Sequence, residues 1–339
     1  MSYQTPSSPP SLEDLAKRQL NVVTAGQLRA RGVPSRLITE QARRGGPWQQ
    51  LLPRVYLLQE GEPTPEQRMW AALLYAAQHG REEGRSDGAV ITGAAALALY
   101  GFAAVPRLPA VTGVEVLVPR QRRLRDAGEV RIRRTARQLE ARSVHGLACA
   151  PVARAVADAL REWTDENAAA AAPGLVRAVL HEAVAAPRNR CTVDELLAEL
   201  SEAGLLGEVR IRAALDELLA TERESALELI SARLAEWLLP APLTAPELRM
   251  RGGTYIAIPD LYWPGAGVAV EIDPELRCVS EGESAWSRGG RHRLEYVGVR
   301  VVSLSARRLA AEPEAVGAEL RRALALGGTD VAELVATEY

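Results

Sequence analysis

The order of apolar and polar positions divides the chain into a helical start, a mixed middle and a strand-bearing end. Residues 11–20 read as a helix, and Val22-Val23 leads to Thr24, a credible N-cap for a second helix over 25–31. Gly32-Val33-Pro34 makes the turn, and Ser35 is expected to cap a third helix over 36–44 with Leu37, Ile38 and Ala42 on its inner face. After Gly45-Gly46-Pro47 come two short strands, 48–52 and 55–58, around Pro53-Arg54.

Further along, 64–77 is a strongly apolar helical pattern, 80–88 a charged, glycine-rich linker, and 92–100 an Ala/Leu helix closed by Gly101. Strands are expected at 114–118 and 130–134, separated by Arg120, Arg122, Arg123 and Arg125, and a helix at 150–163. An acidic step and an alanine run precede Pro173, followed by helices at 175–184, 192–203 and 209–219. Another apolar helix opens at Glu224-Ser225-Ala226-Leu227-Glu228 and runs to about Leu239. Two strands, 258–262 and 268–273, then flank the turn Trp263-Pro264-Gly265-Ala266-Gly267, with one more strand at 299–304.

At 339 residues the chain exceeds the usual single-domain size, so two or three domains are expected. A net charge of −2 excludes a uniformly basic protein, and any nucleic-acid surface must be local. Cys149, Cys191 and Cys278 are isolated, which argues against a disulfide framework or a zinc site and suits a reducing cytosol. No apolar run reaches membrane-span length and residues 1–10 have no signal-peptide core, so a soluble, cytoplasmic protein with no membrane partner is expected. Lys17 is the only lysine among 41 Lys and Arg residues, and arginine is the better fork for phosphates and guanine edges.

The arginines make the amino-terminal end basic. Between residues 11 and 60, Lys17, Arg18, Arg29, Arg31, Arg36, Arg43, Arg44 and Arg54 outnumber Glu13, Asp14, Glu40 and Glu60. Helix, turn, helix and β-hairpin is the winged helix-turn-helix plan. In that plan the helix from Ser35 enters the major groove of double-stranded DNA, with Ser35, Arg36, Thr39 and Glu40 facing outward. Arg43, Arg44 and the wing residue Arg54 would neutralise phosphates. The competing reading is a small helical subdomain with a solvated arginine face.

The pattern Thr24-Ala25-Gly26-Gln27-Leu28 through Val33 to Leu37, then Trp48 through Val55-Tyr56-Leu57, resembles the N-terminal domain of the AbiEi family, the antitoxins of type IV toxin–antitoxin systems. The helix, strand, basic loop, strand and helix of the middle region also resemble the central part of AbiEi-type regulators. That likeness implies a transcriptional regulator with a nucleotidyltransferase-like toxin as a partner. Arg120 to Arg125 with Arg131, Arg133, Arg134 and Arg137 form either a second phosphate-contacting stripe or a basic loop beside the solvated edge of a sheet.

The strands around Pro264-Gly265 carry acids. With the turn centred between Gly265 and Ala266, Asp260 falls opposite Glu271, and the pleat puts Glu271 and Asp273 on that face, away from Val268, Val270 and Ile272. Like charges gathered so closely repel unless a divalent cation, Mg2+ or Mn2+, belongs among them. A half-exposed hairpin with an acidic outer face is the alternative. The run resembles the core of the PD-(D/E)xK nucleases, and more narrowly the very-short-patch-repair-like endonuclease domain, in which one strand ends in an acid and Glu-x-(Lys/Asp/Glu) lies on the next. Asp260, Glu271 and Asp273 match those positions, and Glu228, in a Ser-x-x-Glu at the start of the preceding helix, would be a fourth acid. Ser225 and Glu228 also fit a plain capping box.

The chain departs from that pattern too: it offers no Glu-x-Lys lysine, and arginine cannot take a proton from water. Among the histidines, His181 reads as a packed side chain, His79 and His145 have no ligand partner at useful spacing, and His292 is the only later candidate. No Ser-His-Asp order, Walker loop or Rossmann glycine pattern is present.

The fold expected is thus α/β (α+β): a winged helix-turn-helix over 1–62, a mixed α/β middle domain over 63–165, a helical connector over 166–221 and a restriction-endonuclease-like α/β domain over 222–339. The leading functional expectation is a sequence-specific DNA-binding regulator of antitoxin type with a degenerate nuclease-like body. The alternative is a metal-dependent endonuclease in which Asp260 and Glu271 hold Mg2+, Asp273 orients or deprotonates the attacking water and Glu228 assists, with the winged helix delivering the substrate.

Overall fold

A computed structural model of the chain describes residues 11–77, 88–108, 113–164, 173–184, 190–272, 290–328 and 334–337. It is mixed α/β and divides into two compact units, Met1–Cys191 and Thr192–Tyr339. Among the described residues no helix is long and apolar enough to cross a membrane.

The first unit opens with α1 (Leu12–Arg18), whose cap Ser11 accepts the Asp14 N–H. Strand β1 (Val22–Thr24) follows, then α2 (Ala25–Ala30), α3 (Ser35–Gln41), β2 (Gln49–Leu52) and β3 (Val55–Leu57). Thr24 caps α2 as expected, through a reciprocal capping box with Gln27. Strand β3 lies between β1 and β2, antiparallel to both, with Val22 opposite Leu57 and Gln49 opposite the same residue. Leu15, Val23, Leu28 and Ile38 form the buried centre, and Trp48 and Tyr56 pack against it.

Three expectations for α3 fail. Pro34, not Ser35, is the cap, and it makes no side-chain bond because proline offers neither a hydroxyl nor an N–H; Ser35 is the first residue of the helix. The helix stops at Gln41, so Arg43 and Arg44 lie in the turn beyond it, and Leu37 is 39% exposed, leaving Ile38 as the buried anchor.

Helix α4 (Pro65–Ala77) packs against β1, β2 and β3 and also against β4 (Val90–Thr92), β5 (Val114–Pro119) and β8 (Leu147–Cys149). Buried Gln67 reinforces the junction by donating from its amide to the Leu20 carbonyl at 2.9 Å. The remaining elements are α5 (Gly93–Leu99), β6 (Val130–Thr135), β7 (Arg142–Val144), α6 (Val152–Thr164) and α7 (Pro173–Val184). The sheet runs β6-β5-β4-β8-β7, with β5 parallel to β6 and antiparallel to β4. The β7–β8 hairpin, absent from the sequence expectation, turns through His145 and Gly146, both at positive φ. That geometry matches the twist of a two-residue hairpin and explains the placement of His145.

The second unit begins with α8 (Val193–Glu202), held by a Thr192–Glu195 capping box, and α9 (Val209–Arg233). Helix α9 runs without a break through residues 221–225, so the helix expected to open at Glu224 is its second half and Ser225 is no cap. The boundary drawn between 221 and 222 falls inside this element. Next come β9 (Leu243–Thr244), β10 (Glu247–Met250), β11 (Tyr255–Ala257), β12 (Leu261–Trp263), β13 (Val268–Ile272), α10 (residues 290–296), β14 (Arg300–Leu304), α11 (Ala306–Ala311), α12 (Pro313–Leu326) and β15 (Leu334–Thr337).

Of the strand expected over 258–262 only 261–262 is strand, and residues 258–260 link two strands of different sheets. Tyr255–Ala257 joins the sheet β11-β10-β15, and Leu261–Trp263 joins β14-β13-β12-β9, with Pro259 between them unable to donate to either ladder. The expected register is present: Leu261 faces Val270 and Trp263 faces Val268. Leu261, Trp263, Val268, Val270, Ile272, Val302 and Leu304 share one core with Ile230 and Leu320 from the helices and Trp237 from the turn after α9. Tyr262, Ala269 and Val301 pack in a second core with Leu248, Ile256 and Leu294. The period-2 separation of faces read from the sequence is therefore realised.

Candidate nucleic-acid interface and carboxylate site

Helix α3 buries little of itself. Ser35, Arg36, Thr39 and Glu40 are exposed, and Arg36, Thr39, Glu40 and Arg43 line an open depression on the outer surface. Thr39 Oγ1 donates to the Ser35 carbonyl at 3.1 Å, which settles its hydroxyl against the helix. Arg44 and Arg54 are exposed as well. Among the described residues the guanidinium groups of Arg36, Arg43, Arg44 and Arg54 have no ion-pair or hydrogen-bond partner, so their charge is directed at solvent. Arg54 sits at the hairpin tip with φ of 64°, a left-handed conformation.

The arginines of the middle sheet behave differently. Arg131 pairs with Glu162 of α6, and Arg133 pairs with Glu115 of β5 at 2.6 Å. Arg134 donates through Nε to the Arg122 carbonyl at 3.0 Å and also bonds the Leu124 carbonyl. Three members of the expected phosphate stripe are thus committed within the protein, whereas Arg120, Arg123 and Arg125 are exposed.

Beneath them lies a buried polar layer that the sequence reading missed. Thr92 Oγ1 donates to Asp158 at 2.8 Å, and Arg154 donates to the same carboxylate oxygen at 2.9 Å. Glu115 keeps Oε2 buried without a hydrogen-bond partner, against the backbone of Gly93, where any Cβ would run into the carboxylate. Burial pushes the Glu115 carboxyl up to about 7, with Arg133 opposing and the negative neighbours Glu162 and Asp158 adding to the rise.

Of the acids expected to hold a metal, Asp260 is described in most detail. It is 6% exposed and sits one residue before β12, where the regular ladder ends. Its N–H donates to the Val270 carbonyl at 3.0 Å, its carbonyl accepts the Ala245 N–H at 2.9 Å, and its Oδ2 accepts the Ile272 N–H at 2.6 Å. Oδ1 is paired with the guanidinium of Arg223, from the middle of α9. Burial raises the Asp260 carboxyl above its usual range, while the Ile272 N–H and Arg223 work in the other direction.

Glu271 is half-buried, and across the parallel pair its register partner is Ser303, whose hydroxyl accepts from Arg291 of α10 at 2.8 Å. Glu228 is exposed on α9, and five residues after Arg223 it lies about 140° further round the helix. It is therefore turned away from the side on which Asp260 is met. Asp273 lies outside the described residues, as do His79 and Cys278. Among the described residues no group of three or more His, Cys, Asp and Glu side chains is placed to hold a metal ion. With one Asp260 oxygen on a guanidinium and the other on a peptide N–H, the described acids as arranged do not offer the several free oxygen ligands that Mg2+ or Mn2+ takes. His292 sits on α10 with Nδ1 3.9 Å from Glu295, and His181 packs with its Nε2 buried, as expected.

Arg223 is the residue of this site that the sequence reading overlooked, although a signal was present. Arg223, Ala226, Leu227 and Ile230 recur at helical spacing, and Ala226 and Ile230 are buried, which puts a charged residue on the inward stripe. No family model matches the chain, and no curated protein matches it either.

Proposed function

We propose that the chain is a sequence-specific DNA-binding regulator whose reading head is a winged helix-turn-helix built from α1 to β3. The order helix, strand, helix, helix, hairpin, with the first strand paired to the second strand of the hairpin, supports that architecture. One observation carries the functional reading: α3 and the turns beside it display Arg36, Arg43, Arg44 and Arg54 without internal partners, whereas Arg131, Arg133 and Arg134 of β6 are engaged by acids and carbonyls.

In this proposal α3 lies in the major groove, Arg36 and Glu40 address base edges, and Arg43, Arg44 and Arg54 contact phosphates. The protein works in the cytoplasm as an antitoxin-type regulator, and the partner implied by its AbiEi resemblance is a nucleotidyltransferase-like toxin. The nuclease-like body would then serve contacts, not hydrolysis.

The test is binding of the full chain to its own upstream DNA across a salt series. Affinity that falls steeply with salt, exceeds that for scrambled duplex by at least tenfold, and drops with Arg36→Ala is the expected result. Equal affinity for all duplexes would remove the regulator reading. The endonuclease alternative keeps in its favour the hydrogen bonds from Asp260 to Val270 and Ile272, the residues on either side of Glu271. Mg2+-dependent cleavage lost in both Asp260→Ala and Glu271→Ala would revive it.

A further inference from the structure

We infer that Arg223 is a built-in substitute for a cation at Asp260, so that the carboxyl-terminal unit closes its central strand junction with a guanidinium where the acids alone would call for a metal ion. A carboxylate as buried as Asp260 must be neutralised or matched by positive charge, and the chain supplies that charge from α9. The supply is not incidental. Arg223 projects from the stripe of α9 that carries Ala226 and Ile230 into the core, so packing of the helix fixes where its guanidinium arrives.

The other end of the contact is equally constrained. Asp260 is held at its N–H, its carbonyl and Oδ2 by Val270, Ala245 and Ile272, leaving Oδ1 to meet the arginine. The pair therefore bolts α9 to the point where β12 and β13 diverge. The Arg223 side chain is 48% exposed, so a dissolved cation can reach this place once the guanidinium is gone. The inference concerns the carboxyl-terminal unit and the DNA-binding proposal the amino-terminal one, so either can fail alone.

The experiment is a set of thermal melts on the full chain in MnCl2, MgCl2 or EDTA at matched ionic strength, following the transition that responds to Arg223 substitution. The wild-type midpoint should be the same in all three. Arg223→Ala should melt roughly 10 °C lower in EDTA, and Mn2+ should restore part of that loss. Arg223→Ala combined with Asp260→Asn should recover without metal and ignore Mn2+, because no buried charge then needs a partner. If Arg223→Ala does not fold, Arg223→Lys, which keeps the charge without the fork, should show the same pattern at smaller amplitude.

A wild-type midpoint that rises with Mn2+ and loses the response in Asp260→Asn would overturn the inference, since the metal would then bind with the arginine in place. So would an Arg223→Ala protein as stable as the wild type, or one that Mn2+ leaves unmoved.

Discussion

The Arg54 carbonyl accepts the Ala25 N–H at 2.9 Å, tying the tip of the β2–β3 hairpin to the first turn of α2. That tie holds Arg54 at a φ of 64°, where glycine is the residue of least strain and a branched or long side chain costs about 1 kcal/mol. An arginine kept in such a position, with its guanidinium directed outward, is better explained by something outside the protein than by the hairpin itself. Arg54→Gly should leave stability unchanged or raise it by less than about 1 kcal/mol, while weakening DNA binding and reducing the salt slope by about one unit. Anisotropy titrations beside thermal melts separate the two effects. Unaltered binding would take Arg54 out of the interface.

The orientation of α3 depends on α2, and α2 begins at the Thr24–Gln27 box, where Gln27 N–H reaches Thr24 Oγ1 at 3.1 Å and Thr24 N–H reaches Gln27 Oε1 at 2.9 Å. Gln27 also reaches back to Gln19 at 3.0 Å, so the box is part of a short amide chain. Thr24→Ala should cost about 1 kcal/mol in urea unfolding. Thr24→Ser, which keeps the oxygen, should cost a few tenths at most, and a Ser variant as weak as the Ala variant would point to the methyl group instead.

Local signals survived the passage from sequence to structure better than long-range ones. Thr24 announces its helix because a cap needs only a hydroxyl and the next three residues. The β12–β13 register follows from a turn and a two-residue pleat, both local, and it was legible as far as Leu261 opposite Val270, with Asp260 past the end of that ladder. Strands β4 and β15 were not, since each is short and its partners lie far away in the chain, and the β7–β8 and β10–β11 hairpins were missed because their strands are only three or four residues long. At the carboxylate site the acids were visible but the charge that meets Asp260 was not: Arg223 precedes it by 37 residues, and sequence spacing carries no information about a contact made between elements that fold together. The middle arginines stayed open between two readings for the same reason, because a run of positive charge looks alike whether acids from α6 and β5 answer it or water does.

Gly317 illustrates a glycine held by its neighbour. It lies inside α12 with Trp237 across from it, and an added Cβ would come within 2.7 Å of the indole ring. In an exposed helix interior Gly→Ala gains roughly 0.5–1 kcal/mol. Here the ring is buried, and Arg321 donates to the Trp237 carbonyl at 3.1 Å, which limits any retreat. Gly317→Ala should therefore destabilise the carboxyl-terminal unit, by about 1–3 kcal/mol. Chemical denaturation reads the sign directly, and a gain in stability would mean that the indole moves aside.

The buried carboxyl of Glu115 makes the amino-terminal unit sensitive to pH in a direction opposite to that of most acids. Its folded-state value of about 7 exceeds the usual 4.5, so between those limits the folded chain retains a proton that the unfolded chain has released. The contribution to stability is thus fully present below about pH 4.5 and is lost as pH rises through 7, an effect on the order of 3 kcal/mol. The charges that set it come from two sides: Arg133 of β6 attracts the ionised form, and Glu162 and Asp158 of α6 repel it. Glu115→Gln removes the titrating proton while keeping the shape, so its urea-unfolding free energy should vary less across this window than that of the wild type. Identical pH profiles for the two proteins would show that Glu115 is ionised at neutral pH and that Arg133 outweighs its burial.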